Sequence, residues 1–283
     1  MTFLQILILA VVQGFCELLP VSSSAHVIVA EKLMGLDPTA PSMTLLLVAL
    51  HTGTMFAVIA YFWREWKATY FSSGEAFRRN AALIVVATIA TGIVGLALLR
   101  LIPGFLGVDR ESFEIERIFG DPRLIAAGLA AAGLMIVTSG LLTRSRPGRP
   151  GFGAPAAATI GIVQGLCLPF RGFSRSGATI SSGLFLGISR QKAEEFSFAL
   201  AVVLTPAVVA KELHRFLKTS SAAGFDAPGL LQLAWPSALG MLLSFLAGLV
   251  ALRWLSRWLE HGRWHYFGFY CLAASAGVLT LLR

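Results

Sequence analysis

Six long apolar segments alternate with charged connections, at roughly 42–63, 81–102, 122–142, 194–216, 232–256 and 265–282. Each is close to the ~20 apolar residues a helix needs to cross a hydrocarbon layer of ~30 Å. Two further apolar stretches, 3–34 and 155–188, are interrupted by polar residues and by Pro20 or Pro169. Each is too short for two full spans with a connecting loop, and an internal proline ends a helix. Each therefore predicts a re-entrant hairpin of two half-helices, whose irregular backbone must be buried in protein or line a wet cavity. The expected fold is an all-α integral membrane protein with six transmembrane helices and two re-entrant helical hairpins. It forms one membrane domain, 1–283, of two halves at 1–142 and 153–283.

Loop charge sets the expected orientation. Arg64, Lys67, Arg78 and Arg79 mark one loop as cytoplasmic, as do Arg144, Arg146 and Arg149, Arg190 with Lys192, and Arg257 with Arg263. The 103–121 loop carries Asp109, Glu111, Glu114, Glu116 and Asp121 against Arg110 and Arg117, and reads as external. Lys211, Arg215 and Lys218 run against the scheme. With this orientation the first hairpin enters from outside and the second from the cytoplasm, an inverted-topology repeat with both hairpin tips near mid-depth. The first apolar stretch has no basic residue before Lys32, so it reads as mature structure and not as a signal peptide.

Composition narrows the class. The chain is 56% hydrophobic and only 13% charged, about half the charge of a soluble domain. Its net charge of +8 suits anionic headgroups beside cytoplasmic loops, and no nucleic-acid-binding module is recognisable. The three cysteines, Cys16, Cys167 and Cys271, sit in apolar context without metal-ligand spacing, and read as small residues in helix packing.

The chemistry is concentrated in the two interrupted stretches. Gln13-Gly14-Phe15-Cys16-Glu17 leads through Pro20 to Ser22-Ser23-Ser24-Ala25-His26; Gln164-Gly165-Leu166-Cys167 leads through Pro169 to Arg171-Gly172-Phe173-Ser174-Arg175-Ser176-Gly177-Ala178-Thr179. Ionisable side chains at membrane depth are costly, so a functional site is the default reading. Gln13 and Glu17 share a helix face. A carboxylate there stays ionised if a metal ion or an arginine holds it. The serines and His26 fall at a predicted helix start, where unpaired N–H groups attract phosphate; capping is their plainer role. Gly172 to Gly177 resembles an anion cradle gripped by Arg175. Arg171 is either a second phosphate ligand or a snorkelling residue. His51 is expected to make a helix-packing hydrogen bond, Glu194 and Glu195 to pair with Arg190 and Lys192, and Trp63, Trp66, Trp254, Trp258 and Trp264 to form an interfacial belt.

At these residues the chain resembles the undecaprenyl pyrophosphate phosphatases of bacterial inner membranes, the bacitracin-resistance type. The likeness rests on Gln13 to Glu17, on Pro20-Val21-Ser22-Ser23 with His26, and on Gly172 to Thr179, and it spans essentially the whole chain. It implies hydrolysis of the C55 polyprenyl diphosphate to the monophosphate and phosphate, at a site opening to the periplasm. It also implies a divalent metal, Mg2+ or Ca2+, on Glu17 and Gln13. Glu17, Ser23, His26 and Arg175 take the catalytic positions. Ser22, Gly172, Ser174, Ser176, Thr179 and Arg171 would hold phosphate. Gln13 stands where the family often has glutamate, and Arg171 where it usually has proline. The nucleophile is either Ser23, with His26 as base or acid, or a water. The expected partners are the lipid diphosphate and the bilayer, with a homodimer open and no nucleic acid. The rival reading is a transporter or flippase for polyprenyl phosphate, alone or beside hydrolysis, because broken hairpins in an inverted repeat also build transporters.

Overall fold

The computed structural model describes residues 1–37, 40–106, 121–144, 148–222 and 227–281. Among these the regular elements are all helices. The helices are α1 (Phe3–Leu18), α2 (Ser23–Leu33), α3 (Pro41–Thr69), α4 (Gly74–Leu106), α5 (Pro122–Leu142), α6 (Ala154–Cys167), α7 (Arg175–Phe185), α8 (Arg190–Ala222), α9 (Ala227–Glu260) and α10 (Trp264–Leu281). One parallel bridge, Arg149 with Ile188, is the sole strand-like pairing among the described residues. Most of the acidic loop expected to be external, 107–120, and the basic residue Arg146 lie outside the described residues.

Five of the helices contain segments long and apolar enough to cross a membrane: Ser42–Thr69, Gly74–Gly104, Pro122–Leu142, Arg190–His214 and Ala234–Glu260. The sixth expected span corresponds to α10, which is 18 residues long and opens on Trp264, His265 and Tyr266; it is not among those five. Both interrupted stretches form a helix, a break at the proline, and a second helix. Their four helices hold 16, 11, 14 and 11 residues. At ~1.5 Å per residue the longest is about 24 Å, short of the ~30 Å hydrocarbon thickness. Helix α5 shows how local sequence sets a boundary: Asp121 accepts the Arg123 N–H at 2.8 Å and Pro122 opens the first turn.

The chain divides into two compact units, Met1–Leu18 with Ser23–Trp63 and Ala201–Leu255, and Leu19–Ser22 with Arg64–Leu200 and Ser256–Arg283. In the first, Ile6, Leu9 and Ala10 of α1 pack with Val27 of α2 and with Met43, Leu46 and Leu50 of α3. These recur at helical spacing, so each helix turns one stripe inward. Helix α9 joins through small residues: a Cβ on Gly14 would meet Ala247, and the Ser244 hydroxyl donates to the Leu50 carbonyl at 3.0 Å.

In the second unit α6 lies against α4, with Gly161 on the Ala87 backbone and Gly165 on Thr91 and Val94. The Thr91 hydroxyl lies between the Ala87 and Gly161 carbonyls, and Gln164 Nε2 donates to Thr91 at 3.1 Å. Helices α5 and α10 meet at Gly133 and Gly268, and Ser275 donates to the Ala126 carbonyl at 2.7 Å.

Three expectations need correction here. Trp264 belongs to the core, 1% exposed, because its indole N–H reaches Ser139 and Ser181 at 3.1 and 3.2 Å. Trp66 is likewise buried, whereas Trp63 and Trp254 are exposed. Of the two glutamates at the start of α8, Glu195 pairs with Lys192 at 2.6 Å, but Glu194 accepts from Ser256 at 2.6 Å. Arg190 turns to carbonyls at helix ends, those of Thr143, Arg144 and Glu260. A helix end presents unpaired carbonyls, and a guanidinium can serve several at once.

The α4–α6 contact yields a stability test. Gly161→Val drives a side chain into the Ala87 backbone, whereas Gly92→Val projects into open space. Overpacking costs about 1–3 kcal/mol or more. Thermal unfolding in detergent is expected to show a lowered midpoint for Gly161→Val and an unchanged one for Gly92→Val.

Candidate functional site

The first cluster forms in the first unit around one carboxylate oxygen. Glu17 stands one residue from the end of α1, and Ser23 is the first residue of α2. The Ser23 hydroxyl donates to Glu17 Oε2 at 2.6 Å, and Gln13 Nε2 donates to the same oxygen at 3.2 Å. The shorter contact has the length of a charge-assisted O–H···O bond. Gln13 is buried at 1% exposure, so the pair at i and i+4 sits on an inward face of α1, as its spacing predicted. His26 follows Ser23 by three residues on α2 and is half-buried. It shares that helix face.

His51 joins this cluster, although its expected role was packing. Its Nδ1 lies 2.9 Å from the Leu47 carbonyl, the helix-packing bond anticipated, and its Nε2 lies 3.8 Å from Glu17 Oε2. A carbonyl only accepts, so Nδ1 carries a hydrogen, and Nε2, the nitrogen turned towards the carboxylate, engages it as a donor only in the doubly protonated ring. A histidine two helices further along the chain could have been flagged only as a second ionisable group in an apolar segment.

The second cluster forms in the second unit at the start of α7. Ser174 is the N-cap, its hydroxyl accepting the Gly177 N–H at 3.2 Å. Arg175 is the first helical residue and half-buried, with Ser176 following. Gly172 has φ +92°, and a Cβ there would strike the Ile125 carbonyl of α5. The glycine is thus demanded both by a left-handed turn and by contact with α5. Arg171 lies half-buried in the same turn. The Thr179 hydroxyl lies 2.8 Å from the Arg175 carbonyl and 2.6 Å from Ser197 of α8.

The turn 19–22 also belongs to the second unit. Ser176 donates to the Leu19 carbonyl at 3.4 Å, and the Cys271 thiol to the Pro20 carbonyl at 3.2 Å. Ser22, next in chain to Ser23, has φ +68°, the one positive φ outside glycine among the described residues. That conformation costs roughly 1–3 kcal/mol and persists only where surroundings enforce it. It marks the residue beside the hydroxyl that faces Glu17.

The first unit therefore offers a hydroxyl hydrogen-bonded to a carboxylate and a histidine facing that carboxylate, and the second unit offers an arginine at a helix start. The helix N-terminus and the guanidinium suit phosphate. Among the described residues no three His, Cys, Asp or Glu side chains gather as metal ligands. The oxygens of Glu17, Gln13 and Ser23 are hard donors that suit Mg2+ or Ca2+. Mg2+ is commonly held by one or two carboxylates together with substrate phosphates.

The family model for the bacitracin resistance protein BacA matches residues 6–277. Undecaprenyl-diphosphatase 2 of Acinetobacter baylyi is 61% identical over 282 residues, covering 99% of this chain and 98% of the relative. Undecaprenyl-diphosphatase 2 of Burkholderia thailandensis is 35% identical over 290 residues, covering 96% and 94%. Undecaprenyl-diphosphatase of Rhodopirellula baltica is 30% identical over 279 residues, covering 99% and 97%.

His51→Leu removes both ring nitrogens with little change in bulk. Misplaced catalytic groups cost up to ~100-fold, so turnover on the diphosphate lipid these relatives are named for should fall roughly ten- to a hundred-fold. The check is phosphate release per folded enzyme; loss of folded protein alone would leave His51 a packing residue.

Proposed function

The chain belongs to the family of the bacitracin resistance protein BacA, and on that premise we propose that it hydrolyses undecaprenyl diphosphate to undecaprenyl phosphate and inorganic phosphate. The observation that carries the mechanism is the 2.6 Å hydrogen bond from Ser23 to Glu17. A serine is a weak nucleophile until an adjacent base takes its proton. Ser23 Oγ attacks the terminal phosphorus while Glu17 accepts the hydroxyl proton. The bond from phosphorus to the bridging oxygen breaks, and its electron pair leaves with the lipid monophosphate. Water then attacks the phosphoserine, releasing phosphate and restoring the hydroxyl.

Phosphoryl transfer needs positioning and charge neutralisation above all. Arg175 is assigned to the oxygens of the transferred phosphoryl group, with Ser174 and Ser176 beside it and Arg171 as an outer basic residue. His26 is assigned to the proton at the leaving oxygen, and His51 to orienting Glu17. A divalent cation, Mg2+ or Ca2+, would be held by Glu17 and Gln13 jointly with the substrate, and when bound would offset diphosphate charge.

The enzyme works, in this reading, in the bacterial inner membrane with its site open to the periplasm. It has six spans, α10 included, and two re-entrant hairpins in inverted repeat. Supporting the repeat, the leading arm of each hairpin packs through its Gln-Gly dipeptide on the second long helix of the other half. Gly14 lies on Ala247 of α9, and Gly165 on Val94 of α4. The third long helices of the halves, α5 and α10, pair at Gly133 and Gly268. Hydrolysis at the external face would free a lipid monophosphate for reuse as a carrier.

The test is phosphate release from the C55 diphosphate by purified protein. Ser23→Ala and Arg175→Ala are each expected to lower turnover by about 10³-fold or more. EDTA is expected to abolish release and Mg2+ or Ca2+ to restore it. Near-normal turnover in Ser23→Ala would overturn the covalent mechanism. No release from the unmodified protein, across metals and lipids, would overturn the hydrolase reading in favour of a lipid carrier.

A further inference from the structure

Ser197 lies in the Glu195-Phe196-Ser197-Phe198 run of α8, outside both polar motifs, and is wholly buried at 0% exposure. Its Oγ stands 2.6 Å from Thr179 Oγ1, and Thr179 Oγ1 stands 2.8 Å from the Arg175 carbonyl. Thr179 itself is 1% exposed. The direction of these bonds follows from counting hydrogens. A hydroxyl has one proton and a carbonyl can only accept. Thr179 therefore donates to Arg175, the nearer of two carbonyls in reach, with that of Ser176 at 3.5 Å. The contact with Ser197 is then made by the Ser197 proton.

This order leaves Thr179 without a proton for a phosphate oxygen. Its hydroxyl is committed to the peptide that carries Arg175. The first turn of α7 is consequently held from two sides. Ser174 caps it in front, accepting from Gly177, and Ser197 holds it behind through Thr179. A threonine bonded to its own helix four residues back is common and by itself structural. What distinguishes this one is a second buried hydroxyl, from another helix, that fixes which way the threonine proton points.

We infer that Ser197 and Thr179 are positioning residues that set the first turn of α7, and with it Arg175, and that Thr179 is not a phosphate ligand. The inference rests on the reading that Arg175 holds the transferred phosphoryl group. Ser197→Ala removes the donor without adding bulk. It is expected to lower kcat about ten-fold and to raise the inhibition constant of inorganic pyrophosphate several-fold, as small displacements of a binding group do. The inhibition constant is independent of how much enzyme folds, and kcat is taken per folded enzyme, so a packing defect alone would leave both unchanged.

Adding Ser197→Ala to Thr179→Val should change neither constant further, because residues acting through one another are non-additive. Thr179→Ser, which keeps the hydroxyl, should behave almost as the native enzyme. Unaltered kcat and pyrophosphate inhibition in Ser197→Ala, or independent effects in the double variant, would overturn the relay. Should Ser197→Ala not fold, Thr179→Ser and Thr179→Val carry the test, and equal defects in the two overturn it. Arg175→Ala run in parallel separates the failures: if it leaves turnover and inhibition intact, the reading of Arg175 falls, whatever Ser197 does.

Discussion

A helix broken inside an apolar segment frees carbonyl and N–H groups that need partners within the protein, and the contacts around both breaks answer that constraint. Satisfying them within the protein is the condition for breaking a helix at membrane depth. At the first break the Leu19 and Pro20 carbonyls receive Ser176 and Cys271, and the Val21 N–H turns back to Leu19 at 2.8 Å. At the second, Ser174 accepts from Gly177, and the Phe173 N–H reaches the Phe170 carbonyl at 3.2 Å. The residues that repair the breaks are the serines and the cysteine that sequence presented as cluster and filler.

Broken helices also create what the proposed chemistry uses. Each break is followed by a helix start, and a helix start offers unpaired N–H groups and a partial positive charge. Ser23 opens one such helix and Arg175 the other. Glu17, at the end of the preceding helix, meets Ser23 across the first break because only a turn of a few residues separates them. Ser22 adopts its left-handed conformation inside that turn, whose Leu19 and Pro20 carbonyls accept from Ser176 and Cys271. The bonds that satisfy the broken backbone and the residues of the proposed chemistry thus fall in the same short turns.

Beyond His51 of α3 and Ser197 of α8, the long helices contribute packing. They approach closely where glycine faces backbone, as at Gly161 on Ala87 and Gly133 on Gly268. Between apolar helices in an apolar medium the hydrophobic effect supplies little, so close packing and buried hydroxyl bonds carry the association. Thr91, Ser244 and Ser275 each bond a carbonyl of a neighbouring helix in this way.

Much of this was legible in the sequence. Apolar runs, prolines and caps act locally, so the helices, both breaks and the boundary at Asp121-Pro122 could be read without a structure. The spacing of Gln13 and Glu17 placed them on one face for the same reason. What could not be read were contacts between distant segments. His51 facing Glu17, Trp264 donating to Ser139 and Ser181, Glu194 taking Ser256 in place of a base, and Ser197 bonded to Thr179 all join different helices. Residue type announces that such a group needs a partner, because burying it alone is costly. Which partner it meets depends on how helices are packed and rotated, and only the tertiary structure decides that.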